Sequence, residues 1–179
     1  RLRPTIIHAI LETFAGLALC FCALAVPAKR VLTLQTTNRS FLKRIILLFP
    51  HRVTAISSAL QRIAQLLGRK DVILIPNGID LKLLQNAVRV TEKIPKRILF
   101  VGRLEHMKGV DILLRSIAAL PLDVTEGMSI NIVGDGSKRA ELQQLSSDLG
   151  VSNVIKFLGY LDTKEVAWEF AAAQIFCGL

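Results

Sequence analysis

At 179 residues the chain has room for one large domain or two small ones, and 51% apolar against 21% charged residues excludes global disorder. The net charge of +9 sits in the first half: residues 1–80 carry eleven Lys/Arg against three acids, and residues 81–179 carry twelve against eleven. A basic half suits an anionic lipid surface or an acidic substrate, whereas 6% aromatic content and the lack of a recognition motif speak against nucleic acid.

The first predicted strand is Thr5–His8. A run of sixteen uncharged residues follows (TFAGLALCFCALAVPA, 13–28). Glu12 and Lys29 close it below the ~18–20 apolar residues that a membrane span requires, so it reads as a fully buried helix rather than a span or signal peptide. Cys20, Cys22 and Cys177 lie in apolar stretches without His or carboxylate neighbours at ligand spacing. They are expected to be buried, reduced thiols with no metal.

Arg30–Leu34, Arg52–Ile56 and Val72–Ile75 continue as short, nearly continuous apolar strands, the habit of a parallel sheet buried on both faces. Between them Ser58–Leu67 puts Leu60, Ile63, Ala64 and Leu67 on one helical face, with Ser57 or Ser58 as N-cap. Pro76-Asn77-Gly78 breaks the pattern, and 81–96 reads as a polar linker. A second series follows: strand Arg97–Val101, helix Val110–Leu120, strand Ser129–Val133, helix Ser137–Leu149, strand Val154–Leu158, helix Thr163–Ala173 and strand Gln174–Cys177. Val110, Leu113, Leu114 and Ile117 share a face, and Asp162 with Glu165 forms a capping box. Alternation in two series predicts two Rossmann-like, doubly wound α/β units, 1–80 and 97–179. Both are expected to be incomplete, because the chain opens on a strand without Met and stops just after another.

Chemistry concentrates in three loops that follow strands. In ILFVGRLEHMKGVD (98–111), Arg103 and Lys108 lie between a strand and its helix, the edge where open parallel sheets bind ligands. Gly102 permits close backbone approach, and Gly109 opens a helix whose N–H groups attract anions. This pattern suits a diphosphate, although two such cations are also common as solvated loop charges. Gly134-Asp135-Gly136 half-matches the dinucleotide fingerprint, with Arg139 where its third glycine belongs. Gly159-Tyr160-Leu161-Asp162 ends another strand and starts a helix.

In order and spacing, VGRLEHMKGVDILLRSIAAL, INIVGDGSKRAEL and NVIKFLGYLDTKEV resemble the retaining GT-B glycosyltransferases of the large group 1 class. Upstream, RVTAISSALQRIAQLLG and IPNGID resemble the end of that family's first domain and the crossover into its second. The resemblance implies a nucleotide-sugar donor between two Rossmann-like domains, with neither a catalytic metal nor a cofactor. Arg103 and Lys108 would bind the donor diphosphate, Gly102, Gly134 and Gly136 would line the nucleotide site, and the backbone at Tyr160–Leu161 would meet the base. Asn77, Gly78 and Asp80 would shape the hinge.

Two positions depart from the family's pattern. Gln35 stands where a His is frequent, and Ile10 stands where a second is frequent, two residues after His8. His8 and Gln35 remain candidates for the acceptor or sugar pocket. Gln35 can donate a hydrogen bond but cannot serve as a general base. The family's paired-glutamate segment would begin beyond Leu179.

The acceptor implied is a glycan or lipid, and the location implied is cytoplasmic, peripheral on the inner membrane face. The mixed basic and apolar stretch 38–52 suits an interfacial helix on anionic lipid, or alternatively a packed helix with a solvated basic edge. Three other readings stand beside this one. They are a noncatalytic nucleotide-binding or membrane-associated remnant, a sugar-nucleotide epimerase of the same fold, and, last, a dinucleotide-dependent dehydrogenase.

Overall fold

Short β-branched runs pair in parallel in two separate four-stranded sheets, and the chain divides after Ile79 into two compact units. The structure is a computed structural model and describes residues 4–10, 14–37 and 41–178.

In the first unit β1 (Ile6–Ile10), β2 (Lys29–Leu34), β3 (Arg52–Ala55) and β4 (Val72–Leu74) lie in sequence order. Successive side chains point to opposite faces of a strand. One set, including Ala9, Leu32, Leu34, Val53 and Ala55, packs in a core with α1 (Phe14–Ala25), α2 (Phe41–Ile46) and α3 (Ser58–Leu66). The other set includes Ile6, Ile10 and Ile73, which are about half exposed. Burial on both faces, expected from the apolar strands, is thus met along the inner strand β3, where Val53, Thr54 and Ala55 are all buried, and not on the edge strands β1 and β4. Ser57 is the N-cap of α3, its hydroxyl accepting from the Leu60 N–H at 3.3 Å.

Two expectations for this unit are corrected. Helix α1 is not fully buried: Leu19 enters the core while Phe14 and Phe21 are 87% and 72% exposed. It packs tightly at one point, where a Cβ on Gly16 would fall 2.6 Å from Ile46 Cγ2. Stretch 38–52 forms a helix only over Phe41–Ile46, and residues 38–40 lie outside the described ones. Lys43 turns inward, 3% exposed, and donates to the Thr36 carbonyl at 2.7 Å. The cysteines are free and half-buried rather than buried, and partial burial pushes the Cys20 thiol up.

The second unit has β5 (Arg97–Val101), β6 (Ser129–Val133), β7 (Ile155–Gly159) and β8 (Ile175–Phe176) in the order β7-β6-β5-β8. Its first strand thus has the second on one side and the fourth on the other, the Rossmann arrangement with a switch point at β5. Here both faces are covered. Phe100, Ile130 and Ile132 pack with α5 (Val110–Ala118) and α7 (Arg139–Asp148). Leu99 and Val133 pack with Val166 and Ala173 at the two ends of α8 (Thr163–Ala172). A short helix, α6 (Leu122–Thr125), precedes β6.

Residues 81–90, expected within a polar linker, form helix α4 (Leu81–Val90). The Asp80 carboxylate caps it by accepting from Leu83 N at 3.1 Å. Leu83, Leu84 and Ala87 then form an apolar stripe against Ala167 and Ala171 of α8. The stripe is narrow, which is why the segment reads as polar.

A polar group is buried under α8: Asn131 on β6 donates to Glu169 Oε2 at 2.7 Å, and Arg97 lies 3.9 Å from the same oxygen. Removing one partner of a buried hydrogen bond costs more than replacing both by apolar groups. Glu169→Leu is therefore expected to destabilise the second unit by about 1–3 kcal/mol. Adding Asn131→Val should recover most of that loss in denaturant melts, and additive losses would contradict the pairing.

Candidate functional site

The carboxyl edge of the second sheet collects the three loops that the sequence singles out. At the switch point the β5–α5 loop starts at Gly102 and passes through a 3₁₀ turn, His106–Lys108. It ends at Gly109, whose φ of 63° lies in the left-handed region that glycine favours. Leu104, fully buried, pins the middle of the loop into the core. The residues around it are thereby held at the rim. Arg103 is exposed and Lys108 half-buried. Neither side chain makes a hydrogen bond or ion pair with a described residue, and Arg103 acts on Glu105 only through its field.

Backbone bonds fasten this loop to the next. Gly102 N donates to Val133 O at 3.0 Å, Leu104 N to Asp135 O at 2.9 Å, and Lys138 N to Leu104 O at 3.0 Å. The third loop joins through Gly134 N to Gly159 O at 2.7 Å. Such spacing leaves no room for side chains at the crossing points. A Cβ on Gly134 would fall 1.9 Å from the Gly102 carbonyl oxygen, and one on Gly136 would fall 2.5 Å from the Leu104 oxygen. Gly134 also has φ +127°. The immediate need for these glycines is loop-on-loop packing beneath the rim.

Side-chain bonds complete the array. Ser137 donates to Glu105 twice, from N at 3.1 Å and from Oγ at 2.8 Å. Asp135 accepts from Gly136 N at 2.8 Å and from Arg139 at 3.0 Å. These donors hold the Glu105 and Asp135 carboxyls below their usual range. Arg139, at the position of the missing third glycine, lies against Gly159, where a Cβ would meet its guanidinium at 3.2 Å. Sequence reading missed Glu105, Ser137 and the Asp135–Arg139 pair. Only the i, i+4 spacing of the last was available as a signal.

After β7, Tyr160 is exposed and Leu161 half-buried. Asp162 begins α8 with the expected capping box: its carboxylate accepts from Lys164 N and Glu165 N, while Asp162 N donates to Glu165. The backbone at 160–161 is thereby fixed at the same sheet edge as Arg103 and Lys108.

Of the two candidates in the first unit, His8 lies on β1 and Gln35 just after β2. His8 pairs in register with Val31 and its Nε2 lies 2.7 Å from Thr33 Oγ1 on the sheet face. Thr33 in turn contacts Thr54 at 2.7 Å. Gln35 follows the end of β2, at the carboxyl edge. Asn77 and Gly78 are exposed between β4 and α4.

The second unit is a four-stranded parallel sheet in Rossmann order, with Arg103 and Lys108 on the loop at its switch point, and it belongs to the doubly wound α/β class. The sequence pattern of glycosyl transferases group 1 matches residues 85–178, more than half of the chain, and the chain belongs to that family. One relative is the Campylobacter jejuni GalNAc-alpha-(1->4)-GalNAc-alpha-(1->3)-diNAcBac-PP-undecaprenol alpha-1,4-N-acetyl-D-galactosaminyltransferase. It is 29% identical over 153 residues, 80% of this chain and 41% of its own length. Glycogen synthase of Mycobacterium tuberculosis is 36% identical over 101 residues, 55% of this chain and 24% of its own length.

Among solved structures, the lipopolysaccharide outer core galactosyltransferase WaaB aligns with a TM-score of 0.71 at 18% identity, covering 97% of this chain and 49% of WaaB. Anabaena HepE in complex with UDP gives 0.71 at 23%, covering 96% and 52%. These likenesses establish the expected GT-B-like α/β fold with two parallel sheets. The chain spans two-fifths to one-half of the length of these first relatives.

Two variants test the packing at the rim. Gly134→Ala must displace the Gly102 carbonyl, so it is expected to lower stability by about 2 kcal/mol or more. Gly127→Ala, also at positive φ but with no atom within 4 Å of the added Cβ, should cost less. Equal losses in chemical denaturation would reduce the Gly134 effect to backbone conformation alone.

The depressed carboxyls set a pH window. Asp and Glu titrate near 4 in the unfolded chain, so the stabilisation from Glu105 and Asp135 is present above that pH and is lost as pH falls through their lower folded values. Amide protection of Gly136 and Ser137, corrected for intrinsic exchange, should hold from pH 7 to about 4 and fall below it. Protection that declines already between pH 7 and 5 would contradict this.

Proposed function

We propose that this chain belongs to an enzyme that transfers a sugar from a nucleotide-sugar donor to an acceptor, with retention at the anomeric carbon. The second unit holds the donor. The observation that carries this reading is the pair of cations at the Rossmann switch point, Arg103 and Lys108, without partners among the described residues. HepE and the pneumococcal O-GlcNAc transferase GtfA, both solved in complex with UDP, support a uridine nucleotide.

In the proposed step the bond between sugar C1 and the phosphate oxygen breaks. The oxygen leaves with the electron pair, the acceptor hydroxyl oxygen bonds to C1, and its proton is released. Negative charge grows on the departing diphosphate, so fixed cations beside it stabilise the transition state more than the ground state. Gly102, Gly134 and Gly136 keep backbone alone beneath the nucleotide, and the peptide groups at Tyr160–Leu161 meet the base edge. Gln35, which follows β2 at the carboxyl edge, and His8, whose Nε2 lies against Thr33 Oγ1, are the proposed residues of the sugar or acceptor pocket. The nucleotide-sugar is a substrate, and the proposed reaction uses neither a metal nor a cofactor.

A lipid-linked acceptor is supported by the undecaprenol-linked glycan in the name of the Campylobacter relative. The first unit supplies a surface suited to it: Phe14, Phe21, Phe41 and Leu48 are 72–87% exposed, with Arg44 exposed nearby in sequence. The enzyme would then work from the cytoplasmic side, against the inner membrane face. No helix among the described residues is long and apolar enough to cross a membrane.

Calorimetry on this chain should detect UDP and not NAD; NAD binding without UDP would favour the dehydrogenase reading. In the whole enzyme, Arg103→Ala and Lys108→Ala should each lower kcat on the order of 10²–10³-fold, and an unchanged kcat in both would remove the mechanism. Co-sedimentation with liposomes should rise with anionic lipid content. Indifference to that content would end the membrane proposal.

A further inference from the structure

The turn that leads from β6 into α7 is fastened to the neighbouring β5–α5 loop by a side chain. Here the Glu105 carboxylate, from the preceding β5–α5 loop, takes both Ser137 donors, N–H at 3.1 Å and hydroxyl at 2.8 Å. Leu104, the residue before it, is locked by two backbone bonds, to Asp135 O and from Lys138 N, and is fully buried. Glu105 is thus the side-chain half of a two-point fastening between the loops.

We propose that Glu105 is a positioning residue that clasps the Arg103–Lys108 loop to Ser137, in the turn before α7, and so holds the two cations in place for a diphosphate. This rests on the donor-site reading given above. The clasp has two consequences. It fixes the backbone between Arg103 and the 3₁₀ turn that carries Lys108, since Lys108 N itself donates to Glu105 O at 2.9 Å. It also ties that loop to the β6–α7 turn beside the two Leu104 backbone bonds, so that the two loops are held together at adjacent points. The Ser137 N–H and hydroxyl, and after them the Arg103 and Lys138 charges, hold the Glu105 carboxyl down. Ser137 is essential to the arrangement because it supplies a hydroxyl and keeps an N–H, which proline at the same place could not.

Two measurements on the 179-residue chain test the clasp and its use separately. Hydrogen exchange, read without ligand, should show faster exchange at Leu104, Glu105 and Lys108 amides in Glu105→Gln and in Ser137→Ala, with β7 and α8 unchanged. Calorimetry should show UDP affinity about tenfold weaker in Glu105→Gln, uridine affinity unchanged, and the double variant no weaker than the stronger single one. The loss for UDP alone distinguishes positioning from general destabilisation, which would weaken both ligands.

Unchanged exchange in both single variants overturns the clasp. Faster exchange with equal or tighter UDP binding overturns the positioning role. A wild-type chain that binds no UDP sinks the donor-site reading and the positioning role with it, and exchange alone then decides whether the clasp exists.

Discussion

The close approach of two backbone segments governs the second unit. Gly134 passes over the Gly102 carbonyl and Gly136 over Leu104 at distances that a single Cβ would violate. Because the chains meet there without side chains, four backbone hydrogen bonds bind the three carboxyl-edge loops into one rim. A rim made of peptide groups holds the backbone that carries Arg103 and Lys108, and under the proposed reaction such preorganised charge would stabilise the transition state.

The topology decides where those cations stand. In the order β7-β6-β5-β8, α5 packs on one face of the sheet and α8 on the other, which makes β5 the switch point. Arg103 and Lys108 follow its carboxyl end by virtue of being on the first loop of the unit. Leu104 is what makes the placement obligatory: burying it fully forces its neighbours outward. Asp135–Arg139, Lys138–Glu141 and Glu105–Ser137 form local pairs at the rim, while the Arg103 and Lys108 side chains make no hydrogen bond or ion pair with a described residue.

Much of this was legible in the chain itself, for identifiable reasons. Strands β5 and β6 match their sequence-read bounds because apolar runs there end abruptly at glycine. The capping box at Asp162 was readable because it depends on spacing alone. What escaped were features that depend on neighbours distant in sequence. Glu105 and Ser137 are 32 residues apart, and no local pattern joins them. Helix α4 was hidden because its buried stripe is short and its cap, Asp80, follows a turn motif. The exposed side of α1 was hidden for the opposite reason. An all-apolar helix has no polar face to announce an exposed side, so Phe14 and Phe21 gave no sign of lying outside the core. The inward turn of Lys43 contradicts the habit of its residue type and depends on a backbone carbonyl, Thr36, that only the fold brings near.

The central claim is that the first loop of the second unit receives a diphosphate through Arg103 and Lys108. Diffraction from crystals of this chain grown with UDP tests it most directly. The account predicts diphosphate oxygens about 3 Å from the Arg103 guanidinium and from Lys108 Nζ, with the Glu105–Ser137 bonds intact. A diphosphate seated on Ser137 and the Gly134–Gly136 loop, with both cations turned to solvent, would contradict it.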